Sequence, residues 1–468
     1  MSGRGAWTSA DRASAAEATL AKSAAGGATP MELAALRRRL EQLAHPSAGQ
    51  LLGADLEPVE VLPQLSELSQ PSPAAARDVL NTLVVLKLNG GLGTSMGLSG
   101  PKSLVQVKPG HSFLSIIARQ VLSLRERHGV RMPLVLMNSA TTREPSLEVL
   151  RRHRELRAQE EHLPLDFLQG REPKLRADDL YPVTWPSDPN LEWCPPGHGD
   201  LYVALAATGT LDRLLDAGLR WCFVSNADNL GALPDARIAA WVADQGVPFV
   251  LEAVQGTPAD RKGGHLARHR GRLVLRETAQ VPEGDATFTD IERWRYYNTN
   301  NLWVDLRSLQ HLQASKPEAP ALPLIVNRKR VDPADPSSPP VLQLETAMGA
   351  AVGCIEGARA LHVPRERFAP VKTTDDLLVV ASDAYELTDD GRMAQTLAGP
   401  APVVTLDKDH FGMLSDFNRR FAAGPPSLRR CTRLQVDGDV TFGAGVVIEG
   451  TVRISGPRHF ADGEVLHG

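Results

Sequence analysis

The chain has 468 residues, with 51 Lys and Arg against 55 Asp and Glu and a formal net charge of −4, which excludes a surface that grips nucleic acid by bulk positive charge. Hydrophobic residues make up 42% and charged residues 23%, an ordinary globular balance, and no run of about 18 apolar residues is present to form a membrane-spanning helix. Four scattered cysteines, Cys194, Cys222, Cys354 and Cys431, lack CxxC spacing and predict neither a zinc site nor a disulfide scaffold. No apolar core of a secretory signal follows Arg4, so the expectation is a cytoplasmic protein, its length fitting about two to four domains.

Residues 1–28 are rich in Ala, Ser and Gly and poor in large apolar residues. They are expected to form a disordered arm, because they cannot bury enough surface to offset their ordering entropy. Met31, Leu33, Leu36, Leu40 and Leu43 then fall on one face of a helix, and the proline-broken stretch 59–73 reads as a connector, so that 29–80 forms an N-terminal helical segment and connector. From 81 to 395 strands and helices alternate. Strands are predicted at 82–88, 132–137, 221–225 and 248–254, and helices at 112–128, 146–156, 202–215 and 235–245. Such units predict an α/β fold, a Rossmann-like and mostly parallel sheet that binds ligands at the C-terminal ends of its strands. Residues 317–340 read as a polar, proline-rich loop region around a short strand at 322–327.

Over 396–468 the period changes. Leu434, Val440, Val446 and Val452 recur every six residues, as do Val436, Phe442, Ile448 and Ile454, with Gly438, Gly443, Gly445 and Gly450 between them. Two interleaved ladders predict a C-terminal left-handed parallel β-helix of about one coil, the alternative being a small β-hairpin tail. One coil leaves open edges, which would stack on the body or on another subunit in a homo-oligomer.

The densest glycine cluster is Leu88-Asn89-Gly90-Gly91-Leu92-Gly93-Thr94-Ser95-Met96-Gly97-Leu98-Ser99-Gly100-Pro101-Lys102, directly after the first predicted strand. Glycines let the backbone approach a ligand closely and turn successive N–H groups toward phosphate oxygens. A Walker loop is excluded, because Pro101 precedes Lys102 where that motif needs Gly-Lys. The dinucleotide fingerprint is excluded too, since Gly91, Gly93 and Gly97 are spaced one residue too widely. Further on, Phe223-Val224-Ser225-Asn226-Ala227-Asp228 runs an apolar strand into a carboxylate at its C-terminal end. Mg²⁺ takes one or two carboxylates together with phosphate oxygens and water, so Asp228 is the candidate metal ligand.

The loop and the Gly100-Pro-Lys-Ser103 that follows resemble the signature of the eukaryotic-type UTP–glucose-1-phosphate uridylyltransferases. The resemblance extends through Leu136-Met-Asn-Ser139, Pro195-Pro-Gly-His-Gly-Asp200, Asn226-Ala-Asp-Asn-Leu-Gly-Ala232, Lys262-Gly-Gly264, Asn298-Thr-Asn-Asn-Leu-Trp303, Gln343-Leu-Glu-Thr-Ala347 and Arg367-Phe-Ala-Pro-Val-Lys-Thr-Thr374. Ser95 and Met96 stand where the related N-acetylhexosamine enzymes carry Arg and Leu. The resemblance implies a GT-A-like nucleotidyltransferase core that makes UDP-glucose and pyrophosphate from UTP and glucose 1-phosphate, with Mg²⁺ as cofactor and neither nucleic acid nor membrane as partner. A UDP-sugar pyrophosphorylase of broader sugar choice is the alternative.

The nucleophile in that reaction is already an anionic phosphate. The site then needs cations and backbone donors rather than a general base. By resemblance, Lys102 and Lys372 act on the phosphates as catalytic cations. Leu88, Asn89, Gly90, Gly91, Lys102, Gln169, Gly197, Asn226, Asp228 and Lys372 hold the nucleotide, Gln169 reading the uracil edge. Gly90, Gly91, His198, Lys262, Glu277, Asn300 and Lys329 hold the sugar phosphate. Lys102 stands behind Asp228 at the metal without ligating it. The family has Asn-Pro-Lys where this chain has Asn327-Arg328-Lys329. Asp200 is expected to cap the helix that begins at Leu201.

Overall fold

A computed structural model describes residues 9–45 and 50–468. The chain is mixed α/β and divides into two compact units, one of residues 1–86, 167–224 and 234–364, the other of 87–166, 225–233 and 365–468.

The first unit is built on the ten-residue strand Tyr296–Asp305. One side pairs antiparallel with the strand Trp221–Asn226, in the register Trp221↔Asp305 to Val224↔Leu302. The other side pairs antiparallel with Phe249–Gln255, which in turn runs parallel to Arg359–His362. Strands at 221–225 and 248–254 were predicted; the reversed one between them in the sheet was not. Its Asn298, Asn300 and Asn301 break the apolar pattern. The buried carboxylate of Glu252 accounts for two of its polar groups, accepting from Asn301 Nδ2 at 3.0 Å and Trp303 Nε1 at 2.9 Å. Paired in this way, polar groups sit in a sheet core without loss of their hydrogen bonds. The strand Ile325–Arg330, three residues later than predicted, pairs antiparallel with Pro340–Glu345. The predicted helix 202–215 is two helices, Leu201–Ala207 and Thr210–Asp216, divided at Gly209 in the left-handed conformation.

The N-terminal segment corrects the expected disorder. Residues Ser9–Ala25 form a helix, and Pro30–Leu43 form a second one capped by Thr29, with Glu32 completing the capping box. Residues 1–8 lie outside the described residues. Small side chains, Ala15, Thr19 and Ser23, are the buried ones in the first helix. They let the neighbouring backbone approach closely without large apolar residues, and the helix further anchors itself by an ion pair from Lys22 to Glu192.

In the second unit the helix Phe113–His128 is capped by Ser112 and ended by left-handed Gly129, and it buries Phe113, Ile116, Ile117 and Val121. The helix expected at 146–156 starts earlier, at Ala140, because Ser139 caps it; it ends at Leu150, and a short helix follows over Arg154–Glu160. At the C-terminus, Val403–Leu406, Ser427–Asp437, Val447–Ser455 and Val465–His467 form a wholly parallel sheet, and Val440–Phe442 runs parallel to Arg458–Phe460. Partners such as Leu434↔Val452, Val440↔Arg458 and Val447↔Val465 lie eighteen residues apart. A β-hairpin tail is thereby excluded, since a hairpin pairs antiparallel strands.

Candidate functional site

In the second unit the glycine loop closes on itself. Lys102 N–H donates to Gly91 O at 3.2 Å, and Met96 and Leu98 N–H both donate to Gly93 O. Gly93 and Gly97 have φ of 63° and 71°, a left-handed backbone that a β-carbon disfavours. A Cβ on Gly93 would also meet Leu98 Cδ1 at 2.7 Å, whereas the space around Gly91 is open. Gly91 therefore presents bare, exposed backbone, as a phosphate-binding position requires.

Ala227 N–H bonds to Leu88 O at 3.1 Å, which brings the ends of two strands together beside the loop. There Lys102 Nζ contacts Asp228 Oδ2 at 2.6 Å, the two side chains being 16% and 19% exposed. Asp228 Oδ1 is buried and has no hydrogen-bond partner among the described residues. A carboxylate with one oxygen engaged and the other free suits a metal ligand. No cluster of three or more His, Cys, Asp or Glu that could hold a metal occurs among the described residues. A cation at Asp228 would therefore draw its other ligands from phosphate oxygens and water, the coordination that Mg²⁺ favours.

Lys372 belongs to the same assembly. Val371 N–H donates to Asp228 O at 3.2 Å, so the backbone before Lys372 is fastened to the metal-candidate turn. Lys372 is exposed, and its ammonium has no hydrogen-bond or ion-pair partner among the described residues. The residue that secures this arrangement was missed in the sequence. Asn229 is buried; its Nδ2 donates to Arg367 O at 3.1 Å, while its Oδ1 accepts from Ala369 N and Gly231 N. The only sequence signal was its place inside the 226–232 motif.

Asn226 stands half-buried at the end of its strand. Asn89 lies at the start of the loop. Its side chain is buried, and Nδ2 donates to Asn138 Oδ1 and Ser146 Oγ, each at 2.7 Å. The amide thus stiffens the floor of the loop, and the backbone is what remains for a nucleotide.

In the first unit a second group assembles. Gly197 has φ of 79°, and a Cβ there would stand 2.6 Å from Thr346 O, so only glycine permits this approach. Gly199 N–H bonds to Thr346 O at 2.8 Å, and His198 Nδ1 accepts the Met348 N–H at 3.1 Å. His198 is exposed, so the lowering of its pKa by desolvation counts for less than this hydrogen bond. The bond at Nδ1 acts in the same direction, since protonating that nitrogen would break it. The ring is held neutral with Nε2 left as a donor. Half-buried Gln169 precedes Gly170, whose N–H donates to Asp200 Oδ2 at 2.6 Å. Asp200 does not cap the helix after it; its carboxylate turns to this loop instead.

Glu277, Asn300 and the Lys262-Gly-Gly264 motif converge. A Cβ on Gly264 would lie 2.6 Å from both Glu277 carboxylate oxygens. Gly264 O accepts from Asn298 N, and Asn298 exchanges hydrogen bonds with Asn300, which has φ of 58°. Lys262 is exposed beside them. Lys329 is exposed on the strand Ile325–Arg330, opposite Val341, and no hydrogen bond joins it to this group.

A glycine-rich anion loop with a lysine–carboxylate pair at the ends of adjoining strands defines a nucleotide-binding α/β protein. The chain belongs to the UTP–glucose-1-phosphate uridylyltransferase family, whose model matches residues 47–449. The barley UTP–glucose-1-phosphate uridylyltransferase is 39% identical over 404 residues, 84% of this chain and 82% of its own length. A probable UTP–glucose-1-phosphate uridylyltransferase of Schizosaccharomyces pombe is 39% identical over 386 residues, covering 81% and 74%. The crystal structure of a Leishmania major UDP-glucose pyrophosphorylase mutant in complex with UDP-glucose superposes with a TM-score of 0.90 at 38% identity, covering 99% of each chain. The Trypanosoma brucei protein gives 0.86 at 39% identity, covering 97% of this chain and 100% of that one. Among the described residues no helix is long and apolar enough to cross a membrane.

Proposed function

We propose that this chain transfers the uridylyl group of UTP to glucose 1-phosphate, giving UDP-glucose and pyrophosphate. The observation that carries the reading is the Lys102–Asp228 pair at the glycine loop, with Asp228 Oδ1 free and Lys372 fastened alongside. The sugar phosphate oxygen attacks the α-phosphorus in line as pyrophosphate departs. Gly90, Gly91 and Leu88 offer backbone to the nucleotide, and Lys102 and Lys372 neutralise phosphate charge as it develops. Asp228 would hold Mg²⁺, which when bound draws charge from the phosphate oxygens; Lys102 pairs with the other side of the same carboxylate. Asn226 and Gly197 support the nucleotide, and Gln169 reads the uracil edge through its paired donor and acceptor. His198, held neutral, donates from Nε2 to the sugar phosphate. Lys262, Glu277, Asn300 and Lys329 serve the glucose phosphate.

The eighteen-residue parallel register supports reading the C-terminal strands as successive turns of a short left-handed β-helix, about two rather than the one expected, with three six-residue sides to a turn. Its last strand, Val465–His467, is an edge with Val465 exposed, the surface through which two copies would join. Free Cys194, Cys222, Cys354 and Cys431 support a cytoplasmic site of action.

The test is pyrophosphate release from UTP, Mg²⁺ and a panel of sugar 1-phosphates. Release with glucose 1-phosphate well above the others is expected. Silence with every sugar would sink the reading, and equal rates with galactose 1-phosphate would move it to a broad-specificity enzyme.

A further inference from the structure

The loop of Gln169 and the turn of Gly197–His198 are joined by one side chain. Gly170 N–H donates to Asp200 Oδ2, and Asp200 N–H donates to Gly197 O at 3.2 Å. Asp200 is only 2% exposed. A buried carboxylate is costly unless its charge is compensated and its oxygens are bonded. Here the compensation comes from outside the expected catalytic domain. Arg39, on the helix Pro30–Leu43, is buried, ion-paired with Glu172, and favours the Asp200 charge. Glu32 on the same helix opposes it. Burial, reinforced by Glu32, outweighs the Gly170 hydrogen bond and Arg39 and raises the Asp200 pKa to about 6. The packing is tight: a Cβ on Gly170 would lie 3.2 Å from both Asp200 Oδ2 and Glu32 Oε1.

We infer that Asp200 is a positioning residue for UTP: through Gly170 it fixes the backbone of Gln169 against the Gly197–His198 turn, and so sets uracil affinity and base selectivity. The inference rests on the uridylyltransferase reading. Failure of the wild-type protein to make UDP-glucose would strike that reading; the comparisons below strike only Asp200.

Asp200→Ala removes the acceptor, whereas Asp200→Asn keeps an oxygen for the Gly170 N–H. A lost charge-assisted hydrogen bond predicts a rise of about tenfold or more in KM for UTP in Asp200→Ala. KM for glucose 1-phosphate stays within about twofold, and the kcat/KM preference for UTP over CTP falls, because a misplaced amide discriminates bases less well. Asp200→Asn recovers most of the loss. Gly170→Ala, which pushes the loop from the other side, reproduces the UTP-specific rise, and it decides the matter if Asp200→Ala does not fold. Unchanged KM for UTP in Gly170→Ala and in a folded Asp200→Ala, or equal rises for both substrates, would overturn the inference.

Discussion

Replacing Lys372 with Ala separates chemistry from folding more cleanly than any other change at the site. The ammonium is exposed and has no partner among the described residues, while the backbone at 372 is held independently by its N–H on Asp376 Oδ2 at 2.8 Å. Truncation thus removes an exposed side chain that makes no hydrogen bond or ion pair among the described residues. Stability should change by less than about 0.5 kcal/mol, the range of plain surface substitutions. The rate should suffer far more, because a cation aimed at charge that develops in the transition state contributes about 3–4 kcal/mol, or roughly 10²–10³ in kcat. The assay pairs kcat for UDP-glucose formation with a urea denaturation midpoint. A kcat within about tenfold of wild type, in a protein of unchanged midpoint, would refute the role given to Lys372.

Lys102→Met should lose activity and stability together, since it leaves the mostly buried Asp228 without its counter-ion; a destabilisation of about 1–3 kcal/mol is expected, read from the same denaturation curves. Asn229→Ala strips backbone partners at Arg367, Ala369 and Gly231 and should cost about 2–4 kcal/mol while lowering kcat through the displaced Lys372 segment. Asp200 carries a pH dependence. Its pKa rises from the ordinary 3.8 to about 6 in the folded chain, so the native state binds more protons between those values. Its contribution to stability is therefore fully present below about pH 4 and is lost as pH rises through about 6, a change of roughly 3 kcal/mol. Asp200→Asn should flatten that part of a stability profile measured from pH 4 to 8, and an unaltered slope would contradict the assignment.

The parts legible in the sequence were those with local signatures. The glycine loop, the strand running toward Asp228, the Gly-His-Gly turn and the six-residue ladder each show themselves in residues close together along the chain. Asn229, Asp200 and Arg39 did not, because their partners lie far along the chain: Arg39 meets Glu172, and Asp200 meets Gly170. The helix Ser9–Ala25 was hidden for a different reason. Its composition signalled disorder, yet alanine has the highest intrinsic helix propensity, and its buried residues are small ones. The strand Tyr296–Asp305 was hidden by its asparagines: Asn301 has its buried partner Glu252 on another strand, and Asn298 and Asn300 bond each other. The amide of Asn89 is engaged beneath the loop with Asn138 and Ser146, partners that lie too far along the chain to be read from its motif.

The slight negative charge of the whole chain is consistent with binding two polyanions once its cations are localised. Lys102, and Lys372 whose ammonium has no partner among the described residues, adjoin the Asp228 turn, where on the proposed reading they would meet phosphate instead of spreading a basic field over the surface. The most direct measurement uses UTP labelled in its α-phosphate, incubated with glucose 1-phosphate, Mg²⁺ and the full chain. All transferred label should appear in UDP-glucose, with unlabelled pyrophosphate released and none retained on acid-precipitated protein. Absence of label from UDP-glucose, or label bound covalently to the protein, would contradict direct uridylyl transfer.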